Sequence, residues 1–196
     1  MTVSLSSWSQ ATEPPVQQWN ELLLEAIRND LARPNVHARN LHHFSTGQYA
    51  LQLLTEGQDG TSADGNVMWP SIPESIGTWT ANTDEYRDMM ATYAYRFIAL
   101  RYAAAPGWSE TVAALNAAFV STTGTTPNVL LNGSAAAAFG FDIANAINEA
   151  YLNDGANQIN DYANTCYVPA NDPLDVTEEG PCDFSLDDPN RWQPLS

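Results

Sequence analysis

The chain contains no lysine, and its fixed positive charges are seven arginines set against 23 aspartates and glutamates. The absence of lysine excludes Schiff-base chemistry, a P-loop kinase and any other site that needs a lysine ammonium group. The formal net charge of −16 makes approach to a nucleic-acid backbone or to an anionic membrane surface repulsive. We therefore expect neither nucleic acid nor membrane among the partners of the chain.

Long apolar runs are also lacking. The most apolar stretch, residues 135–141, is much shorter than a membrane span and already contains Gly140. The N-terminal residues show neither the basic region nor the apolar region of a secretory signal. We expect no membrane-spanning segment and no visible signal peptide, which leaves the cellular location open.

Cysteine is scarce. The two cysteines, Cys166 and Cys182, both lie in the C-terminal part of the chain. A disulfide between them would close an otherwise irregular loop, and two unpaired thiols are the alternative. A metal pair is less favoured, because no second pair of cysteines or histidines accompanies them.

No segment shows the sustained alternation of a β-strand, whereas apolar residues recur at helical spacing. The sequence therefore predicts an all-α helical bundle of about five helices with long loops. These helices are expected over residues 14–34, 35–56, 83–104, 109–120 and 134–153, the second capped by Asn35 and the fifth by Ser134.

The composition along the chain indicates three parts. Residues 1–13 are polar and predict a flexible N-terminus, residues 14–161 predict the helical bundle segment, and residues 162–196 predict an extended, acidic, proline-rich arm. The third and fifth predicted helices carry aromatic stripes, and if the chain is a fragment of a larger bundle, their faces are the candidates for apolar surface without a partner.

The three histidines, His37, His42 and His43, all lie on the second predicted helix. His37 is five and six residues from the other two, which is poor spacing for two metal ligands on one helix face. Arg39 and His43 are four residues apart and are expected to share a face. Metal binding or proton transfer is one interpretation, and hydrogen bonding in the interior or between helices is the favoured one.

Other catalytic and binding patterns are weak. The Gly-x-Ser-x-Gly motif of a Ser–His hydrolase is absent. Two loops offer the clustered oxygens that calcium prefers, although neither has the order of an EF-hand, and ordinary turn formation by Gly and Asp is the favoured explanation of both. The candidate calcium ligands are Asp59, Asp64 and Asn66 in the first loop and Asp154, Asn157 and Asp161 in the second.

Several strings resemble a bacterial branch of the vanadium-dependent haloperoxidase family, which is related to the type 2 phosphatidic acid phosphatases. The specific strings are residues 36–43 (VHARNLHH) and 188–195 (DPNRWQPL), and residues 19–30, 153–164 and 167–174 support them in the same order. The resemblance spans nearly the whole chain. Residues 45–49 (STGQY) depart from it, because the family continues there with a small, methionine-containing helix segment.

The resemblance implies a helical bundle from an enzyme that oxidises halide with hydrogen peroxide at bound vanadate. Family members hold vanadate with a lysine, arginines, a Ser-Gly-His segment and a metal-bonding histidine, and this chain has neither lysine nor Ser-Gly-His. No residue is therefore carried over as catalytic, cofactor-binding or metal-binding. Vanadate is expected only in a C-terminal half that the 162–196 arm would lead into.

The leading hypothesis is thus a non-catalytic N-terminal helical scaffold of a haloperoxidase-like enzyme or of a related acid phosphatase. Its partner would be the C-terminal half of that enzyme, or a second copy of the chain. Two alternatives remain open: a stand-alone acidic helical protein that binds a partner or self-assembles, and a calcium-binding module.

Overall fold

A computed structural model describes residues 15–56, 76–163, 168–172 and 186–191. Within these residues the secondary structure is entirely helical, which confirms the predicted all-α bundle. The elements are α1 (Pro15–Arg28), α2 (Pro34–Thr55), α3 (Thr83–Tyr102), α4 (Trp108–Thr123), α5 (Pro127–Gly133), α6 (Ala135–Ala150) and a 3-10 turn (Gln158–Asn160).

Side chains at the helix ends explain most of these boundaries. The Asn82 side chain accepts hydrogen bonds at the start of α3, while Glu85 accepts from the Asn82 backbone N–H in a complete capping box. Ser134 Oγ accepts from the Ala137 N–H at 3.2 Å and caps α6 as predicted. Asn35 does not cap α2, because Pro34 already occupies the first helical turn.

The short helix α5 lies where the sequence predicted a loop. Pro127 occupies its first turn, and Thr126 precedes it in an extended conformation. Seven residues are too few for a helical hydrophobic period to be recognised, and none of them is buried. The described chain therefore has six α-helices rather than about five.

Helix α3 lies at the centre of the core and contacts each of the other five α-helices. Its buried side chains and those of α6 belong to one cluster, so these two faces, expected to lack a partner, cover each other. That expectation was wrong for these helices. The core residues that α3 and α6 contribute include Met89, Met90, Tyr93, Phe97, Ile98, Phe139, Ile143 and Ile147.

Two glycines permit close packing against α3. A Cβ atom on Gly140 of α6 would collide with the Met89 carbonyl oxygen and lie 2.8 Å from the Met89 Cα. A Cβ atom on Gly47 of α2 would collide with the Tyr93 ring, whose hydroxyl donates to the Phe44 carbonyl at 2.8 Å. Gly47 belongs to the segment that departs from the family pattern, and it makes room for Tyr93 here.

The chain divides into two units, residues 1–155 and 156–196, and all six α-helices belong to the first. In the second unit the buried Asn171 side chain donates to the carbonyls of Asp188 and Arg191 and accepts from the Asp188 N–H at 2.8 Å. These bonds join residues from two of the family-like strings. The 1–13 segment, both cysteines and the Asp59–Asn66 loop lie outside the described residues.

Across the described part of the chain, no helix combines the length and the apolar character needed to cross a membrane.

Replacing Gly140 with alanine should destabilise the bundle by about 2–3 kcal/mol, because the obstructing Met89 atoms are backbone and cannot rotate away. Gly133→Ala is the matched control, since a Cβ there meets nothing within 4 Å, and it should change stability by less than about 1 kcal/mol. Chemical denaturation followed by circular dichroism measures both variants. Equal stabilities for the two would contradict the close α3–α6 approach.

Candidate functional site

A polar cluster joins α2, α3 and the chain just after α6. It consists of Arg39 and His43 from α2, Arg101 from α3, and Tyr151 and Asp154, and we name it the His43 cluster. Arg39 and His43 share a helix face, as their spacing predicted. The other three members come from distant parts of the sequence.

Arg39 forms the ionic contact of the cluster. Its Nε donates to Asp154 Oδ2 at 2.7 Å, and its Nη2 donates to the Tyr151 carbonyl at 2.8 Å. The two charged side chains are 13% and 25% exposed. Because this pair is shielded from water, it holds the end of α6 against α2 more strongly than a surface pair would.

His43 is buried and packed between charged and aromatic neighbours. Its ring stacks on Tyr151 with centroids 3.6 Å apart and planes 13° apart. Its Nδ1 lies 3.3 Å from Arg101 Nη2. Since a guanidinium can only donate, Nδ1 is the acceptor and the proton of the neutral ring is on Nε2. That nitrogen lies 3.9 Å from Asp154 Oδ2, beyond hydrogen-bonding distance.

Burial is the largest influence on the pKa of His43, which is lowered from 6.5 to about 3. The positive charges of Arg39 and Arg101 lower the pKa further, and the Asp154 carboxylate opposes them only in part. The imidazole of His43 is therefore neutral at pH 7.

Asn40 and His37 extend the polar contacts along α2. Asn40 Nδ2 donates to the Tyr102 hydroxyl at 3.2 Å inside the core. His37 Nε2 lies 2.8 Å from the Leu31 carbonyl oxygen and 3.4 Å from the Arg33 backbone nitrogen, and the ring stacks on Tyr102. Two of the three histidines thus form interior or interhelical hydrogen bonds, as the favoured interpretation held.

The geometry gives the His43 cluster a structural role, because its contacts hold α2, α3 and the chain just after α6 together. The single lone pair of neutral His43 is directed at Arg101, so it is engaged rather than available to a metal or a substrate proton. His42 is exposed and lies beside His43 with ring centroids 5.7 Å apart. Across the described ranges, no three His, Cys, Asp or Glu side chains converge as a metal-binding group.

Two side-chain oxygens of the second candidate calcium loop accept hydrogen bonds. Asp154 Oδ2 accepts from Arg39, and the Asn157 amide oxygen accepts from Asn160 Nδ2 at 2.7 Å. Asn157 and Asp161 have positive φ angles of 56° and 51°, as expected for turn-forming Asn and Asp residues.

Sequence reasoning missed Arg101, Tyr151 and Asp154 as members of the His43 cluster. The only local signal was the four-residue spacing of Arg39 and His43. The contact between Arg39 and Asp154 spans 115 residues, and no periodicity or short motif encodes such a separation.

Comparison of the chain with protein-family models, with curated proteins and with solved structures finds no match.

The His43 cluster predicts acid-sensitive stability. Unfolded His43 takes up a proton near pH 6.5 but folded His43 only near pH 3, so the unfolded state binds more protons in between. The free energy of unfolding should fall by about 1–2 kcal/mol from pH 7 to pH 5 on account of this residue. His43→Gln should remove that component, whereas His42→Gln, at the exposed neighbour, should keep it. Denaturant titrations at pH 7 and pH 5 measure the difference. If the free energy of unfolding of His43→Gln falls between these pH values as much as that of the unmodified chain, His43 is not the source of the acid sensitivity.

Removing the ionic contact should cost more than removing a surface pair. Asp154→Ala leaves the mostly buried Arg39 without its carboxylate and should lower stability by about 1–3 kcal/mol. Glu25→Ala breaks the Arg28–Glu25 pair, whose side chains are 59% and 46% exposed, and should cost less than about 1 kcal/mol. Chemical denaturation at pH 7 compares them, and equal losses would place the Arg39 contact among ordinary surface pairs.

Proposed function

We propose that this chain is a non-catalytic helical scaffold from the N-terminal part of a vanadium-dependent haloperoxidase-like enzyme. The whole enzyme would oxidise halide with hydrogen peroxide at a vanadate site built by its C-terminal half. The contribution of this chain is to hold that half in place.

The proposal rests on the contacts that the side chains of residues 36–43 make. The polar side chains of this segment are committed to contacts within the bundle: His37 with Leu31, Arg39 with Asp154, Asn40 with Tyr102 and His43 with Arg101. His42 is the exception and is exposed. This segment resembles the family specifically, yet most of its polar side chains contact other residues of the bundle. Such contacts are typical of a structural segment.

The cations of the chain do not fit a vanadate cradle, which needs several positive groups around one oxyanion. The described ion pairs instead place arginines singly beside acids, as in Arg28–Glu25, Arg33–Asp30 and Arg87–Asp88. Arg39 and Arg101 both flank His43, but the Asp154 carboxylate neutralises Arg39. The arginines of the described residues are therefore not arranged as a vanadate site.

The purified chain, mixed with orthovanadate, hydrogen peroxide and bromide, should halogenate a phenolic indicator dye no faster than the same mixture without protein. The reason is that no set of converging cations in the described residues can hold the oxyanion. Halogenation above this blank would overturn the non-catalytic assignment.

The coding sequence beyond codon 196, or a neighbouring reading frame, should supply a lysine and a Ser-Gly-His segment. Co-purification of that polypeptide with this chain should bring vanadate-dependent halogenation, which Asp154→Ala should weaken by loosening the scaffold. Absence of such a frame would favour the stand-alone acidic protein instead.

A calcium-dependent, chelator-reversible rise in melting temperature would favour the calcium module.

A further inference from the structure

A cavity of about 530 Å³ opens between α3, α4, α5 and α6, away from the His43 cluster. Its volume falls within the range of small-molecule sites. Apolar side chains from all four helices form its walls, among them Ala99, Phe119, Leu131 and Phe141. Concave walls from several helices suit a compact ligand better than a flat protein surface.

Arg96 is the one cation among the lining residues, which also include polar residues such as Thr92, Asn116 and Asn128. Arg96 Nε donates to Asn145 Oδ1 at 2.9 Å, and its guanidinium carbon lies 4.6 Å above the centre of the Phe141 ring. These two contacts fix the plane of the guanidinium. Within the described chain, its two terminal nitrogens donate to no other residue and meet no carboxylate at ion-pair distance.

The charge around Arg96 is exceptional for this protein. The chain has 23 acidic residues, yet none of the residues lining the cavity is acidic. On the same helix, Arg87 shows the ordinary pattern, because it contacts both Asp84 and Asp88 at 2.9 Å. At physiological ionic strength exposed charges are screened over about 8 Å, so acids farther from Arg96 than that act on it only weakly.

We propose that this cavity binds a small organic carboxylate with an aromatic or aliphatic body. The carboxylate pairs with the terminal nitrogens of Arg96 in the fork geometry that guanidinium groups favour. The apolar body lies against Phe119, Leu131 and Phe141. This site is independent of the proposed scaffold function and of the His43 cluster.

Three probes of one shape test the proposal: 4-phenylbutyrate, its neutral primary amide, and the cationic 4-phenylbutylamine. Titration of the ¹⁵N-labelled full chain followed by two-dimensional NMR measures the affinity and shows which residues respond. The acid should give saturable shifts at residues of the cavity wall. The amide should bind at least about tenfold more weakly, since it lacks the charge-assisted pair, and the amine should be the weakest.

Two variants separate the charge from the shape. Arg96→Gln should reduce the affinity for the acid to that for the amide and leave the affinity for the amide unchanged. Ala99→Leu narrows the cavity and should lower the affinity for the acid and the affinity for the amide by similar factors. Arg87→Gln is the matched control, because Arg87 lies on α3 outside the cavity, and it should bind all three probes as the unmodified chain does.

Several outcomes would overturn the proposal. Equal affinity for acid and amide in the unmodified chain would remove the role of Arg96, as would unchanged acid binding in Arg96→Gln. An absence of saturable shifts up to about 10 mM probe would remove the site, since even a weak drug-sized ligand should bind by then. Concentration-dependent shifts of the cavity residues without any probe would show that a second copy of the chain occupies it instead.

Discussion

The structure depends on the backbone contact between α3 and α6, where Gly140 meets Met89 without an intervening side chain. Close approach of two helices is possible only where a small residue removes the Cβ obstacle, and it fixes their distance along the whole interface. Two further contacts lie along α6 and just after it. Asn145 is within reach of Arg96, and Tyr151 stacks on His43.

Electrostatics sets the second constraint. With seven arginines and no lysine against 23 acids, nearly every cation of the described bundle is used to hold one element to another or to neutralise a nearby carboxylate. Arg39 binds the end of α6, and Arg101 binds α2 through His43. Arg96, placed against Phe141 rather than against an acid, is the cation that this balance leaves for an external anion.

Local signals in the sequence predicted much of the fold. The helical spacing of apolar residues predicted α1, and Ser134 predicted the start of α6, because periodicity and capping act over a few residues. The extra helix α5 was missed since its seven residues bury nothing. The pairing of α3 with α6 was also missed, because a stripe of apolar residues indicates burial without naming the partner that covers it. The His43 cluster required contacts across more than a hundred residues, which local patterns do not encode.

At residues 36–43 the sequence resemblance can be compared directly with the contacts seen in the structure. A histidine-rich segment on a helix invites a catalytic interpretation, yet the neutral His43 ring accepts from Arg101 and stacks on Tyr151. A depressed pKa in a buried histidine marks a functional site only when the group faces a cleft. Here the low pKa arises from burial between two arginines, which is what a histidine used as an uncharged spacer requires. The same environment makes His43 an uncharged contact between α2 and α3.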